Sequence, residues 1–288
     1  MDARQLAAFL AVVEHGTVTR AAPAVHVSQP ALSQTVRALE LALGTSLFHR
    51  IGRRLVLTAA GDALVAPARQ VVRDLDLARR AVIDVAGIAG GTLDLAVLPT
   101  LAVDPAVRLV GRFCVAHPGV TVRLTSPEGT SDALGRVADG RAELALTDAE
   151  TAPSLVVHAL GAQRFRAVFP PGSAPGRAKT IKVTALTGVP MVTTPPGTSS
   201  RRVLERAFEL AGAIPVIAVE SGPREAILPL VVAGAGAALL PAPLADEAAA
   251  QGADVRDVDP PLTRAVTLAH RDAPLSPAAA AFVEMATG

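Results

Sequence analysis

Ser33, Gln34 and Arg37 are the side chains in this sequence whose types and spacing most directly suggest a chemistry. On a helix, at about 100° per residue, they cluster with Pro30 on one side while Leu32, Val36, Leu39 and Leu43 form an apolar stripe on the other. Amide, hydroxyl and guanidinium groups at the N-terminal end of an exposed helix are suited to reading base edges in a DNA major groove. A solvated face of a three-helix core would carry the same pattern. The next segment separates the two readings. Residues 47–50 and 55–57 are apolar-rich runs flanking Ile51-Gly52-Arg53-Arg54, a short hairpin with arginines at its tip, suited to phosphates or a minor groove.

Such a reading helix must be held by others. Asp2 with Gln5 caps a first helix whose Leu6, Phe9, Leu10 and Val13 fall on one stripe, and Gly16 ends it. Thr17 caps a short second helix burying Val18, Ala21 and Ala22. Ser28 caps the third, with Pro30 in its first turn and Gly44 at its close. Thr58 then caps a long helix over 59–88. There Leu64, Ala68, Val71, Leu75, Ala78, Val82 and Val85 alternate in steps of four and three, a heptad stripe read as a two-helix dimer seam, with burial on its own domain as the alternative. At about 1.5 Å per residue that helix is roughly 45 Å long, enough to hold two readers apart. Gly87, Gly90 and Gly91 release the chain into a second domain.

From Thr92 onward short β-rich runs at 93–98, 120–125, 144–147, 155–160, 166–169, 191–194, 216–219, 237–240 and 266–269 alternate with helical stretches at 105–116, 131–139, 199–211, 223–233 and 277–286. The pattern predicts an α/β domain with a mostly parallel sheet. It divides into lobe I, about 92–161 and 266–288, and lobe II, about 162–265, with a cleft between them.

Composition removes whole classes of function. The 27 basic and 26 acidic residues leave a net charge of +1, so any basic surface is local. Residues 1–58 hold it, with six arginines against three acids. Cys114 is the one cysteine, which excludes disulfides, CxxC redox pairs and multi-cysteine zinc sites; it lies in an apolar helical pattern and reads as core. No GxSxG, HExxH, GxxxxGK or complete GxGxxG is present, so no catalytic residue, metal site or cofactor is expected. The start has no basic segment leading into an apolar run, so a cytoplasmic protein is expected. Residues 226–245 carry no charge, but Pro229, Gly234, Gly236, Pro241 and Pro243 break the run into a buried helix, turn and strand rather than a membrane span.

The run RAAPAVHVSQPALSQTVRALELALGTSLFHRIGRRLVLTAAG, Arg20 to Gly61, closely resembles the N-terminal winged helix-turn-helix of LysR-type transcriptional regulators. TLDLAVLPTLA, GRAELALTD, PPGTSS and GAGAALLP resemble landmarks of that family's effector domain, which has two lobes similar to periplasmic binding proteins. The resemblance implies a winged helix-turn-helix over 1–58, a dimerising linker helix over 59–89 and an α/β effector domain over 90–288. It puts Ser28, Gln29, Pro30, Ser33, Gln34 and Arg37 on the recognition helix and Arg50, Arg53 and Arg54 on the wing. It places Thr100 and Leu101, Thr130 and Ser131, and Thr198 and Ser199 at the cleft, each group at the N-terminus of a predicted helix, where amides favour an anion. Leu101 is expected as an apolar wall, and Asp148 faces the cleft or forms a turn. Arg201 and Arg202 lie one turn into their helix, so amides and hydroxyls are expected to outweigh ion pairing.

The implied partners are double-stranded operator DNA, a small anionic effector and further copies in a homodimer or homotetramer, with RNA polymerase a further candidate and no membrane. The peroxide-sensing members use a cysteine pair, which this chain lacks. Pro23 departs from the family pattern, and inside a helix it would cost about 3 kcal/mol. Gln34 and Thr35 depart too, so the operator sequence is expected to differ from those of related regulators. The alternative is a cytoplasmic α/β ligand-binding or catalytic protein whose N-terminal helices serve assembly.

Overall fold

The computed structural model describes the backbone of residues 1–51, 54–83 and 90–288; the side chains of 50, 54, 73 and 76–83 also lie outside the description. The chain divides into two compact units, Met1–Ala89 with Ala138–Arg141, and Gly90–Val137 with Ala142–Gly288.

In the first unit, helix α1 (Ala3–His15) begins in a capping box, Asp2 accepting from Gln5 N at 2.9 Å and Gln5 Oε1 from Asp2 N at 2.9 Å. It buries Leu6, Phe9, Leu10 and Val12. The second helix divides at Pro23 into α2 (Val18–Ala21), capped by Thr17, and a 3₁₀ turn, Pro23–Val25. Proline at the start of a new turn removes no helical hydrogen bond, so the cost of an interior proline does not arise. Helix α3 (Gln29–Leu43) is capped by Ser28 and closed by Gly44 at φ 67°, and buries Leu32, Val36 and Leu39. Leu43, expected in that stripe, is exposed at the helix end.

Strands β1 (Phe48–Ile51) and β2 (Arg54–Leu57) form the antiparallel wing. The Glu40 carboxylate accepts from Leu47 N at 2.8 Å and Phe48 N at 3.4 Å, fastening the wing to α3. Arg53 at the tip lies outside the described residues, as do the side chains of Arg50 and Arg54.

Helix α4 (Ala59–Ile83) starts with Thr58 Oγ1 accepting from Gly61 N at 3.0 Å. The first part of the heptad stripe is spent inside its own unit: Ala68 is buried, and Leu64 packs against the cluster of Leu6, Phe9, Leu10 and Leu39. Val71 and Leu75 are each 40% exposed. The side chains of Ala78 and Val82, and Val85 altogether, lie outside the described residues.

Gly61 brings the start of α4 close against Leu47 and the wing residue Leu57. A Cβ there would run into the Leu47 carbonyl oxygen and sit 2.9 Å from Leu57 Cδ2. Backbone cannot yield as a side chain can, so Gly61→Ala is expected to cost about 2–3 kcal/mol, the upper range for overpacking, read as a lower melting temperature of the first unit.

The second unit contains β3 (Gly91–Val97), the helical turn α5 (Pro99–Leu101), α6 (Val107–Ala116), β4 (Val120–Thr125), α7 (Thr130–Ala138) and β5 (Leu144–Thr147). The long β6 (Leu155–Phe169) leads to β7 (Thr180–Lys182), β8 (Pro190–Thr193), α8 (Ser199–Leu210), β9 (Val216–Glu220), α9 (Ile227–Val232), β10 (Ala238–Pro241), α10 (Ala242–Ala250), β11 (Asp254–Asp259), β12 (Leu262–Arg271) and α11 (Pro277–Thr287). The principal sheet runs β4-β3-β5-β12-β6-β11-β7, with β10 also on β6; β8 and β9 pair separately.

The mostly parallel sheet expected from sequence is in fact mixed. β3 is parallel to β4 and β5, but β12 is antiparallel to β5 and β6, and β10 and β11 are antiparallel to β6. The runs at 155–160 and 166–169 are one strand, β6, which with β12 carries the backbone from one lobe to the other. Register shifts between Val266 and Thr267, opposite Gly161 at φ 117°, so the pair bends where the lobes meet. The helix expected at 223–233 is a 3₁₀ turn, Arg224–Ala226, running into α9. Cys114, read from sequence as core, is exposed on α6, whose buried side chain is Phe113. No helix among the described residues is long and apolar enough to cross a membrane.

Candidate functional site

Two surfaces gather the singled-out residues, one in each unit. In the first, the stripe on α3 faces inward, leaving Ser28, Gln29, Pro30, Gln34 and Arg37 exposed and Ser33 half-buried along the outer face. Thr35 Oγ1 donates to Ala31 O at 2.9 Å, so that hydroxyl is turned onto its own helix. The outer face therefore offers the amides of Gln29 and Gln34 and the Arg37 guanidinium, the last two about one turn apart.

In the second unit the loops at the ends of β3, β4, β5 and β8 meet around Asp148. Its carboxylate accepts from the hydroxyls of Thr130, at the start of α7, and Ser199, at the start of α8, and from Arg202 Nη2 at 2.8 Å. Arg202 also donates to Thr130 Oγ1 at 2.6 Å and to Gly197 O at 3.2 Å. One carboxylate thus clasps the two lobes together. Burial alone would push its pKa up, but the Ser199 and Thr130 hydroxyls and the Arg202 charge outweigh it and hold the group below the usual carboxylate value.

Behind the clasp lies Arg264 on β12, 5% exposed. Its Nη1 donates to Ser199 Oγ at 2.7 Å, and Nη2 to Gln163 Oε1 on β6. Gln163 Nε2 in turn donates to Asp104 O at 2.6 Å. The guanidinium stacks over Phe165, 5.2 Å from the ring centroid, and its Nε has no hydrogen-bond partner among the described residues. Burial, offset only in part by Asp148, lowers its pKa to about 10. The cation remains charged at neutral pH with its nearest counter-charge one hydroxyl away.

Next to the network, a small pocket of about 40 Å³ is lined by Thr100, Thr193, Thr194, Ser200, Arg224 and apolar side chains including Leu204 and Ile227. That is room for a few waters, so a larger guest requires the pocket walls to move. Arg224 is its one charged lining residue; burial lowers its pKa, and it has no ion-pair partner among the described residues. Outside lies an open groove lined by Ser126–Asp132, Pro195–Thr198, Arg202 and Arg224.

The residues expected at the cleft fare unevenly, in ways that geometry explains. Thr100, Thr130, Asp148 and Ser199 converge on it, and Ser131 lines the outer groove. Leu101, expected as an apolar wall, is fully buried in its lobe. Thr198 lines the groove, but its hydroxyl accepts from Arg201 N at 3.3 Å as the cap of α8 and bonds Thr194 Oγ1 at 2.6 Å. The expected lack of an arginine at the cleft mouth is corrected by Arg202 and Arg224, which line the outer groove. Of the pair one turn into α8, Arg202 turns to the cleft while Arg201 pairs with Glu205 and Glu220. Strand parity would have found Arg264: it shares a face with Leu262 and Val266, both buried, as Gln163 does with Phe165 and Ala167.

Comparison with known proteins decides the family. The pattern of the LysR substrate binding domain matches residues 86–288, and that of the bacterial regulatory helix-turn-helix protein of the lysR family matches residues 3–62. The chain belongs to the LysR family of transcriptional regulators. This LysR-family regulator is 32% identical over 240 residues to the RuBisCO operon transcriptional regulator of Acidithiobacillus ferrooxidans, covering 83% of this chain and 77% of that protein. It is 30% identical over 244 residues to the regulator IlvY of Escherichia coli, covering 84% and 82%. Among solved structures, full-length CbnR complexed with its target DNA superposes with a TM-score of 0.68 at 25% identity, over 99% of each chain. A full-length OxyR variant of Pseudomonas aeruginosa shares the fold, with a TM-score of 0.81 at 22% identity over 99% of this chain and 93% of that one. These relatives are regulators rather than enzymes, so the outer face of α3 and the Asp148 cleft belong to a DNA-binding domain and an effector-binding domain.

Proposed function

We propose that this LysR-type regulator is a cytoplasmic sensor of a small anionic metabolite, which adjusts how two or more copies sit on operator DNA. Residues 1–58 read the operator through Ser28, Gln29, Pro30, Ser33, Gln34 and Arg37, with Arg50, Arg53 and Arg54 of the wing on the phosphates. Residues 59–89 pair two copies, and residues 90–288 hold the effector. The observation that carries the effector reading is Arg264: a buried guanidinium without a carboxylate of its own, beside Arg202 and Arg224, with Asp148 as the shared acid. A cation placed there at a desolvation cost favours a guest that brings negative charge. Thr100 and Ser200, whose hydroxyls stand 3.5 Å apart, supply neutral hydrogen bonds from the two lobes. A guest touching both lobes biases the angle between them.

The test is a thermal-shift screen of small carboxylates and phosphates, followed by calorimetry on variants with the anion found. Thr100→Val is expected to weaken binding about tenfold and Arg264→Met at least a hundredfold, the difference between a neutral and a charge-assisted bond. Full affinity in both variants moves the site elsewhere.

Pairing along α4 rests on Val71 and Leu75, which remain exposed once Leu64 and Ala68 have packed on their own unit. Val71→Asp with Leu75→Asp is expected to halve the assembly size of the full chain in sedimentation, because a charge in the seam has no partner. An unchanged assembly assigns these side chains to solvent.

A further inference from the structure

His158 on β6 and His270 on β12 meet across the strand pair that joins the lobes. Their rings are inclined at 21° with centroids 5.1 Å apart, and their Nε2 atoms are 3.0 Å apart. The register pairs His158 with Leu268 and His270 with Val156, so the two rings are diagonal neighbours on one face of the sheet. Neither takes part in the Asp148–Arg264 network.

The proton positions follow from the neighbours. Nδ1 of His270 lies 2.7 Å from the Arg271 carbonyl oxygen, which can only accept, so Nδ1 carries the ring proton. Nε2 of His270 is then the acceptor of the 3.0 Å contact and Nε2 of His158 its donor. Two basic nitrogens converge on one proton.

We propose that this pair is a binding site for a divalent transition-metal ion that accepts imidazole at right angles, Cu²⁺ or Ni²⁺. With metal–nitrogen bonds of about 2.0–2.1 Å, two cis ligands of a square or octahedral ion stand about 2.9 Å apart, and those of a tetrahedral ion about 3.4 Å apart. The observed 3.0 Å is close to the first spacing, but it is held as an Nε2–Nε2 hydrogen bond with the rings nearly end to end, centroids 5.1 Å apart. Binding therefore requires each ring to turn by about 20° toward a common point, a side-chain movement, and the His158 ring proton to move from Nε2 to Nδ1, leaving both Nε2 lone pairs on the metal. The Arg271 carbonyl already holds His270 in the tautomer that ligating histidines need. Among the described residues no group of three or more His, Cys, Asp or Glu surrounds a point, so water completes the coordination shell and the ion exchanges freely. The bound ion ties β6 to β12 on the lobe I side of the bend at Val266 and Thr267.

Full-length protein titrated with CuSO₄ or NiCl₂ in a non-chelating buffer is expected to show a saturable rise in melting temperature, reversed by EDTA. The Cu²⁺ electron paramagnetic resonance spectrum is expected to show two coordinating nitrogens. His158→Gln and His270→Gln, each keeping a polar side chain, are expected to weaken binding at least tenfold, whereas His117→Gln leaves it unchanged. Equal binding in the wild type and both paired-histidine variants, a one-nitrogen spectrum, or no binding up to about 1 mM, where affinity falls to roughly 4 kcal/mol, overturns the proposal. The spectrum of the unaltered chain decides the matter even if a variant fails to fold.

Discussion

Replacing Gln34 and Arg37 together by alanine is expected to lower affinity for operator DNA about a hundredfold or more, while leaving the melting temperature within a degree or two. Each side chain is exposed on α3 and outside its buried stripe, so its loss removes no packing. A bidentate side chain on a base edge is worth about 1–3 kcal/mol, and two on one helix contribute roughly additively. The single variants separate the roles. Gln34→Ala should relax base preference at one position of each half-site, whereas Arg53→Ala on the wing should weaken all sequences alike and flatten the salt dependence. Fluorescence anisotropy on a labelled duplex from upstream of the protein's own gene, at several salt concentrations, reads all three.

Asp148→Ala is expected to destabilise the effector domain by about 2–3 kcal/mol. Removing one member of a buried charged network costs about 3–5 kcal/mol, but Arg202 is 46% exposed and water takes over part of its solvation, so the lower figure applies. For a domain of this size that is a fall of about 5–10 °C in melting temperature, measured by calorimetry. A pH profile identifies the cause. The folded-state pKa of Asp148 is depressed, so its stabilisation is complete above the ordinary carboxylate value and is lost as pH falls through the lower folded value. The gap between wild type and Asp148→Ala should therefore be full at pH 7 and shrink on acidification below about pH 4. A gap that is constant with pH assigns the effect to packing.

What could be read from the sequence was what is decided locally. The caps Asp2, Thr17, Ser28 and Thr58 and the stops Gly16 and Gly44 act over one turn of helix, and each is found in that role. Burial of Leu32, Val36 and Leu39 follows from periodicity alone. Errors arose where a partner distant in sequence decides. β6 reads as two strands because Gly161, Gln163 and Arg164 interrupt its apolar pattern, but its length is set by pairing with β12, about a hundred residues on. α10 is rich in alanine, which gives no stripe to detect, and β7 is three residues long. The heptad on α4 is real as a pattern, yet α1 claims its first members, a choice between two apolar surfaces that spacing cannot make. In the cleft, Thr100, Thr130 and Ser199 could be placed through the family resemblance, whereas the weight of Arg264 and Gln163 depends on their burial in the strand pair.

The proposed sensor requires that occupancy of the Asp148–Arg264 cleft change how α3 engages DNA. This is read by the affinity of the full chain for its upstream duplex, with the cleft empty and with it saturated by the anion found in the thermal-shift screen. A coupling of about 1–3 kcal/mol, the usual range for linked sites, predicts a 5- to 150-fold change in the wild type and none in Arg264→Met at the same anion concentration. Identical DNA affinity and footprint with the cleft empty and full would leave the cleft uncoupled from the operator and overturn the proposed function.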